Sequence, residues 1–350
     1  MRTRILITGG GGYVGSALVK RLAEGGEHDV VVVDSGLTSG RTEGEPGVSY
    51  VRADVRDCGD WAHELAGVDS VVHLAAVVGD PACSLAPQLA WQVNYLGTVR
   101  LAEACRRAGV GRFVFASTCS NYGISGSDPA EVTSPLYPQS VYAASKVQAE
   151  HHLLVNRDEH FTPFILRFAT LYGLAPRMRF DLAVNVMTGD AVHKGRVTVH
   201  GGRQWRPFLH VQDAAKAIHL ALAADRTTIT PQVYNCGPLA DGHQIIDVAR
   251  LIAAEVPGTE LVMQDTVTDS RDYRVDFSRI HRDLDFSAGL RVVDGIREIK
   301  GRLDAGDFKD YAEAPYSDLL ALTESLHRKD PASDCRTGRT WPHLTRTTTA

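Results

Sequence analysis

Nothing in these 350 residues approaches a membrane span. A spanning helix needs roughly 18 consecutive apolar residues, and no such run is present. The first apolar run, Ile5-Leu6-Ile7, is cut short by glycines, so the basic start Met1-Arg2-Thr3-Arg4 does not lead into a secretory leader. A cytoplasmic protein with no membrane partner is expected. Cysteine is sparse: six residues, at 58, 83, 105, 119, 236 and 335, with no C-x-x-C pair and no His/Cys cluster at zinc spacing. Reduced, mostly buried thiols and no metal site are expected. An excess of one charge is missing too. Lys and Arg number 37 against 42 Asp and Glu, a net charge of −5 with no long run of either sign. That gives no basic stripe for nucleic acid. There is no internal repeat and no low-complexity segment.

What is present is an ordinary globular composition, 44% hydrophobic and 23% charged, long enough for one or two domains. The first half alternates strand-like and helix-like segments. Ile5–Ile7, Val30–Asp34, Ser49–Arg52, Ser70–Ala75, Arg112–Ala116 and Thr162–Arg167 read as strands. Val30-Val31-Val32-Val33 is apolar at every position, as in a parallel sheet covered on both faces. Helical spacing is seen over Tyr13–Glu24, Leu89–Ala108 and Val141–Val155. Repeated β-then-α units predict an α/β fold, a Rossmann-type doubly wound parallel sheet with its ligand site along the strand C-termini. Residues 1–176 form this dinucleotide-binding domain. After Gly173 the periodicity fades through Arg177–Lys194, Val197–Arg206 and Asp265–Arg282. Residues 177–328 are read as a smaller, C-terminal α/β substrate-binding portion. A strand and helix at Phe208–Ala224 mark a segment near 208–236 that returns to the Rossmann core. The polar residues 329–350 are read as a flexible tail.

Thr8-Gly9-Gly10-Gly11-Gly12-Tyr13-Val14-Gly15 holds glycines at 9, 12 and 15, after a strand and at the opening of a helix. In that context glycine gives a tight turn and lets the backbone approach a pyrophosphate, while the helix N-terminus offers N–H donors. Asp34 follows 19 residues after Gly15, at the end of the second strand. A carboxylate there accepts hydrogen bonds from ribose hydroxyls and repels a 2′-phosphate, which favours NAD over NADP. Arg41, nearby, works against that repulsion. Asp54 is a candidate for the adenine amino group, or alternatively a helix N-cap.

Tyr142 and Lys146 stand four apart, on one face of a helix. A phenol with a pKa near ~10 is a poor base at neutral pH. A cation beside it is expected to lower that pKa and let it move a proton to or from a substrate hydroxyl.

These motifs, with His73-Leu74-Ala75-Ala76, Asn94-Tyr95-Leu96-Gly97-Thr98 and Ser117-Thr118-Cys119-Ser120-Asn121-Tyr122-Gly123, resemble the extended short-chain dehydrogenase/reductases. Within them the chain is similar to the NAD-dependent epimerase/dehydratase group that acts on nucleotide sugars. The resemblance spans roughly residues 4–280. It implies a catalytic set of Thr118, Tyr142 and Lys146, with Ser117 as the alternative hydroxyl. It implies NAD held by Gly9, Gly12, Tyr13, Val14 and Gly15, by Asp34, Asp54 and Val55, and by Leu74, Ala75, Ala76, Tyr142 and Lys146. Asn94 is a structural or cofactor-side residue, not a catalytic one. Relatives that eliminate water resemble Thr-Asp-Glu where this chain has Thr118-Cys119-Ser120, and decarboxylating relatives carry a glutamate at the position of Ser120. Both activities are therefore disfavoured. What remains is 4-epimerisation through a transient keto-sugar, or alternatively a net keto-sugar reduction or a tailoring ketoreductase or dehydrogenase step.

On the substrate side, Thr118, Asn185, Arg206 and Arg271 are the candidates, for a nucleotide-diphosphate sugar or related small molecule. Arg206 precedes His210-Val211-Gln212-Asp213, as the family's phosphate-contacting arginine does. Guanidinium suits phosphate because its donors form a rigid fork. His210 and Asp213 are expected to order a turn and helix start, and Arg177 and Arg179 to form a basic pair on a loop. The segment Val77–Cys83, with its Gly79-Asp80-Pro81 turn, departs from the better-known 4-epimerases. The resemblance further implies a homodimer.

Overall fold

A computed structural model of the chain describes residues 2–38, 44–124, 128–225, 233–239, 242–264 and 271–328. Arg41, Cys335 and the 329–350 tail lie outside the described residues. In chain order the strands are β1 (Thr3–Thr8), β2 (His28–Asp34), β3 (Ser49–Arg52), β4 (Ser70–His73), β5 (Arg112–Thr118), β6 (Thr162–Phe168), β7 (Thr170–Tyr172), β8 (Arg196–His200), β9 (Trp205–His210), β10 (Val233–Cys236), β11 (Gly242–Gln244) and β12 (Glu260–Gln264).

Seven of them form a parallel sheet in the order β10-β6-β5-β4-β1-β2-β3. The order reverses direction between β1 and β4, and this switch point is where a doubly wound sheet opens a crevice for ligand. The strand pattern explains the burial. Along β1, Ile5 and Ile7 join one core layer and Leu6 the other; along β2, Val30 and Val32 face one way, Val31 and Val33 the other. Side chains alternate across a strand, so an unbroken valine run suits a sheet with both faces covered. Each such side chain contributes about 1.5–3 kcal/mol on burial.

One layer packs the sheet against helices Tyr13–Gly25 and Val211–Ala223; the other packs it against Thr98–Ala108 and Val141–Val155. Beyond residue 177 the chain comes back to the large sheet: Val211–Ala223 covers one face and β10 lies beside β6. So do Phe277, Ile280 and Phe286, and Leu322 near the C-terminus, all buried in these same layers. The smaller portion has its own core. Val197 and Val199 of β8, Val248 and Ile252 of helix Ile245–Glu255, and Ile296 of helix Val292–Asp304 pack together.

Two sequence readings change in detail. The aperiodic stretch Arg177–Lys194 contains a regular helix, Ala183–Lys194. Its Val184, Asn185, Met187, Thr188 and Ala191 are all buried, so both polar and apolar residues face inward and no apolar stripe marks it. The expected helix over Leu89–Ala108 is continuous, but it widens into a π-helical turn at Gln92–Gly97. This turn carries Asn94, whose side-chain carbonyl accepts from Val77 N at 2.8 Å and whose amide donates to Val77 O at 2.9 Å and Ser145 Oγ at 3.1 Å.

Candidate active site

A cavity of about 550 Å³ opens at the C-terminal ends of the large sheet, within the size range of small-molecule sites. One end is made by the glycine turn. Gly9 has φ +75°, and a Cβ there would sit 2.5 Å from Ala75 N; a Cβ on Gly15 would sit 2.2 Å from Gly9 O. The turn therefore accepts no side chain at either point. Gly12 is the N-cap of helix Tyr13–Gly25 and provides no side-chain cap. The first-turn N–H groups of that helix thus suit an anionic group. Gly9, Gly12, Tyr13, Val14 and Gly15 all border the cavity, as do Leu74, Ala75 and Ala76 at the end of β4.

Asp34 lines the same end. Its carboxylate accepts from Gly11 N at 2.9 Å and Gly36 N at 2.8 Å, which fixes it between the glycine turn and the loop after β2. A carboxylate so held keeps acceptor capacity for a diol. Asp54 and Val55 also border the cavity. Of the two roles weighed for Asp54, the structure shows the cap: it accepts from Arg56 N at 2.8 Å at the start of the turn Val55–Asp57, and its carboxylate also pairs with the Arg56 guanidinium.

The other end holds the candidate reacting groups. Thr118 closes β5, and Tyr142 and Lys146 stand on helix Val141–Val155, which Ser140 caps by accepting from Ala143 N at 3.2 Å. All three line the cavity. The Thr118 hydroxyl accepts from Ser120 N at 3.1 Å and retains its own proton to donate. Ser117, the alternative, instead donates its hydroxyl to the buried carboxylate of Glu150. Lys146 Nζ donates to Ala116 O at 2.9 Å and lies 4.7 Å from the Phe115 ring centre. Burial lowers its pKa to about 8.

The expectation that a neighbouring cation lowers the pKa of Tyr142 is not met in this arrangement. Burial raises it above the ordinary phenol range; Cys83 and Asp80 add to the rise, and Arg179 and Arg271 oppose it. Loss of hydration outweighs the arginines, and the Lys146 ammonium is turned to the Ala116 carbonyl.

Among the substrate-side residues, Arg206 and Arg271 reach the cavity. Arg206 donates to Trp205 O at 2.8 Å and lies over the Tyr273 ring at 5.0 Å. Asn185 does not line the cavity. It is fully buried: its side-chain oxygen accepts from Gly173 N at 3.0 Å, and its amide donates to Arg179 O at 2.8 Å and Tyr13 Oη at 3.3 Å. Tyr13 in turn donates its hydroxyl to Gly173 O at 2.6 Å, so only the remainder of Tyr13 faces ligand space. His210 caps helix Val211–Ala223 by accepting from Gln212 N at 3.2 Å, and Asp213 accepts from Gly289 N and Leu290 N. Both are structural.

Sequence reasoning missed several lining groups. Asp80 and Ser120 sit at the reacting end. Arg177 and Arg179, read as a loop pair, line the cavity and are gripped by Asp318 at 2.7 and 3.1 Å. Asp318 belongs to the last described helix, Asp318–Arg328, and no local motif announces its arrival at the site. Among the described residues no group of three or more His, Cys, Asp or Glu is placed to hold a metal. No helix among them is long and apolar enough to cross a membrane.

The model of the NAD-dependent epimerase/dehydratase family matches residues 5–237. The chain belongs to that family. A dTDP-glucose 4,6-dehydratase of Streptomyces griseus is 30% identical over 313 residues, covering 85% of this chain and 92% of the relative. The UDP-glucose 4-epimerase of Thermus thermophilus, solved in complex with NAD, is 29% identical with a TM-score of 0.75, over 86% of this chain and 99% of that one. The UDP-glucuronic acid 4-epimerase of Bacillus cereus, solved with UDP-glucuronic acid and NAD, is 25% identical with a TM-score of 0.78, over 87% and 99%. Family members are enzymes, and NAD is the cofactor of this fold. The glycine turn, the small Ala75 and Ala76, and the Asp34 carboxylate fit that cofactor. Epimerases and dehydratases match at similar identity, so membership leaves the reaction open.

Proposed function

We propose that the protein is a nucleotide-sugar 4-epimerase that works through a transient keto-sugar. The observation that carries this reading is the convergence of Thr118, Tyr142 and Lys146 at one end of a cavity, while the two positions after Thr118 are withdrawn from acid–base work. Cys119 is fully buried, donates its thiol to Arg167 O, and is pushed far above the ordinary thiol range by burial. Ser120 presents a hydroxyl, held by Arg271 at 3.2 Å. Elimination of water needs both a further acid and a further base there; Cys119 and Ser120 supply neither, and the nearby Asp80 carboxylate is a single group already paired with Arg271.

NAD, held by the glycine turn, Asp34 and Lys146, would supply the hydride acceptor and donor. The rest belongs to this chain. Tyr142 takes the proton of the sugar hydroxyl as its carbon is oxidised, and gives it back when the ketone is reduced. Thr118 donates to the reacting oxygen and steadies its developing charge. Lys146, its ammonium resting on the Ala116 carbonyl, orients the cofactor ribose. Arg206 meets the diphosphate, Arg271 lies with Asp80 and Ser120 beside the sugar, and rotation of the keto-sugar between the two hydride transfers inverts the centre. Homodimerisation through the outer faces of helices Thr98–Ala108 and Val141–Val155 is part of the same proposal.

Denaturing the purified protein and identifying the released nucleotide is the first test. NAD near one per chain supports a self-recycling epimerase. An empty site, or steady consumption of reduced nicotinamide with a keto-sugar, moves the reading to a reductase. NMR of mixtures with UDP- and dTDP-hexoses then shows either 4-epimer interconversion or, against the proposal, a 4-keto-6-deoxy product. Tyr142→Phe is expected to lower turnover by roughly 10²–10⁴ while nucleotide-sugar binding persists. A loss of only a few-fold would remove Tyr142 from its role.

A further inference from the structure

We infer that Asp80 determines which sugars this site takes, by accepting a substrate hydroxyl and turning away a substrate carboxylate. This rests on the nucleotide-sugar reading above and names the substrate class within it.

The argument starts from the loop. Gly79 has φ +84°, a conformation that sets the turn at the start of the short helix Asp80–Leu85. The turn is fixed from beneath: Asn94 clasps both backbone groups of Val77, and Cys83 donates its thiol to Val77 O at 3.3 Å. Asp80 therefore stands on a rigid support, at the cavity wall.

Its position is the reacting end. Arg271 Nη1 lies 3.0 Å from Asp80 Oδ2 and 3.2 Å from Ser120 Oγ, two residues beyond Thr118. Asp80 thus brings a carboxylate to the neighbourhood of Ser120, where the local sequence offers none. A sugar whose hydroxyl meets Thr118 and Tyr142 lies beside it.

The two carboxylate oxygens differ. Oδ2 is engaged by Arg271, whereas Oδ1 accepts no hydrogen bond from the described residues and is covered in this conformation, so a ligand hydroxyl reaches it only once the carboxylate turns toward the cavity. A buried acceptor of this kind is costly unless a donor meets it. A sugar hydroxyl is such a donor. A hexuronate carboxylate is not: it brings no proton and sets two negative charges together. Nor does it gain Arg271 without cost, since that guanidinium is already shared by Asp80 and Ser120. The inference is a site for hexoses that are uncharged at this end.

Titration calorimetry of the NAD-loaded protein with UDP-glucose and UDP-glucuronate tests it, because the two ligands share every group but one and their ratio does not depend on the base. Wild type is expected to favour UDP-glucose by roughly tenfold or more, and Asp80→Asn to reduce that preference by roughly tenfold. Asp80→Ser serves if the amide variant misfolds, with thermal unfolding as the control. A preference unchanged within about twofold in a folded variant, or a wild type that favours the uronate, overturns the inference. Binding with the expected ratios but no 4-epimer product overturns the epimerase reading and leaves Asp80 its role. A wild type that binds neither UDP- nor dTDP-linked hexoses overturns both.

Discussion

Glu150 and Arg167 form an ion pair at 2.6 Å with only 3% and 6% of their side chains exposed. Glu150 lies one helical turn beyond Lys146, so Tyr142, Lys146 and Glu150 follow one another along a single helix face. Its carboxylate also takes the Ser117 hydroxyl and the Asn121 amide, and Arg167 reaches Tyr122 Oη at 2.9 Å. The network pins the end of β5, and with it Thr118, to the helix that carries the other two reacting groups. Removing one member of a buried pair leaves the other charge unpaired, at a cost of about 3–5 kcal/mol. Glu150→Ala is expected to lose that much in urea unfolding. Glu150→Gln, which keeps acceptors for Ser117 and Asn121, is expected to lose less. Equal losses in both variants would mean that those hydrogen bonds contribute nothing.

Asp34 is expected to control the choice of dinucleotide. Its carboxylate is locked by Gly11 N and Gly36 N and stays at the end of β2 whether or not a ribose meets it. A hydrogen bond to a charged group contributes about 1.5–3 kcal/mol, equivalent to roughly 10–100-fold in affinity. Asp34→Ser is expected to weaken NAD binding by that factor and to improve NADP binding, since the repelling charge is gone. Fluorescence titration with both reduced cofactors measures the ratio, and an unchanged ratio would assign the selectivity elsewhere.

The large sheet and its cofactor edge were legible in the sequence because each rests on a local rule. Val30–Val33 is apolar at every position because both faces of a parallel strand are covered, and Gly9 and Gly15 mark a turn that has no room for a side chain. Tyr142 and Lys146 are one turn apart on a helix with its own N-cap. The substrate side was not legible, for the opposite reason. Arg177 and Arg179 reach the cavity only because Asp318, about 140 residues later, folds back onto them. Asn185 looked like a ligand-binding amide, and the fold uses it to tie Tyr13 to Gly173. Asp80 gains its meaning from Arg271, far along the chain. Contacts of that range follow from topology, which no short window of sequence contains.

Lys146 offers a test in which stability and catalysis move in opposite directions. Burial, against smaller contributions from Cys83 and Glu150, lowers its pKa from 10.5 to about 8. Between those values the unfolded chain still holds the proton that the folded chain has released, so the unfolded state binds more protons and stability rises with pH. Below pH 8 both states carry the proton, and the folded protein bears the full cost of the buried ammonium. That cost is about 3 kcal/mol, from a shift of about 2.5 units at 1.36 kcal/mol each. Lys146→Met fills similar space without charge. It is expected to unfold at a higher urea concentration than wild type at pH 7, with a gap that narrows from pH 8 and closes near pH 10.5. The same variant is expected to be inactive, since it lacks the ammonium proposed to orient the cofactor ribose. A gap that stays constant from pH 7 to 10 would show that Lys146 enters the folded state without a shifted proton affinity. The ammonium would then be acting through its hydrogen bond to Ala116 alone.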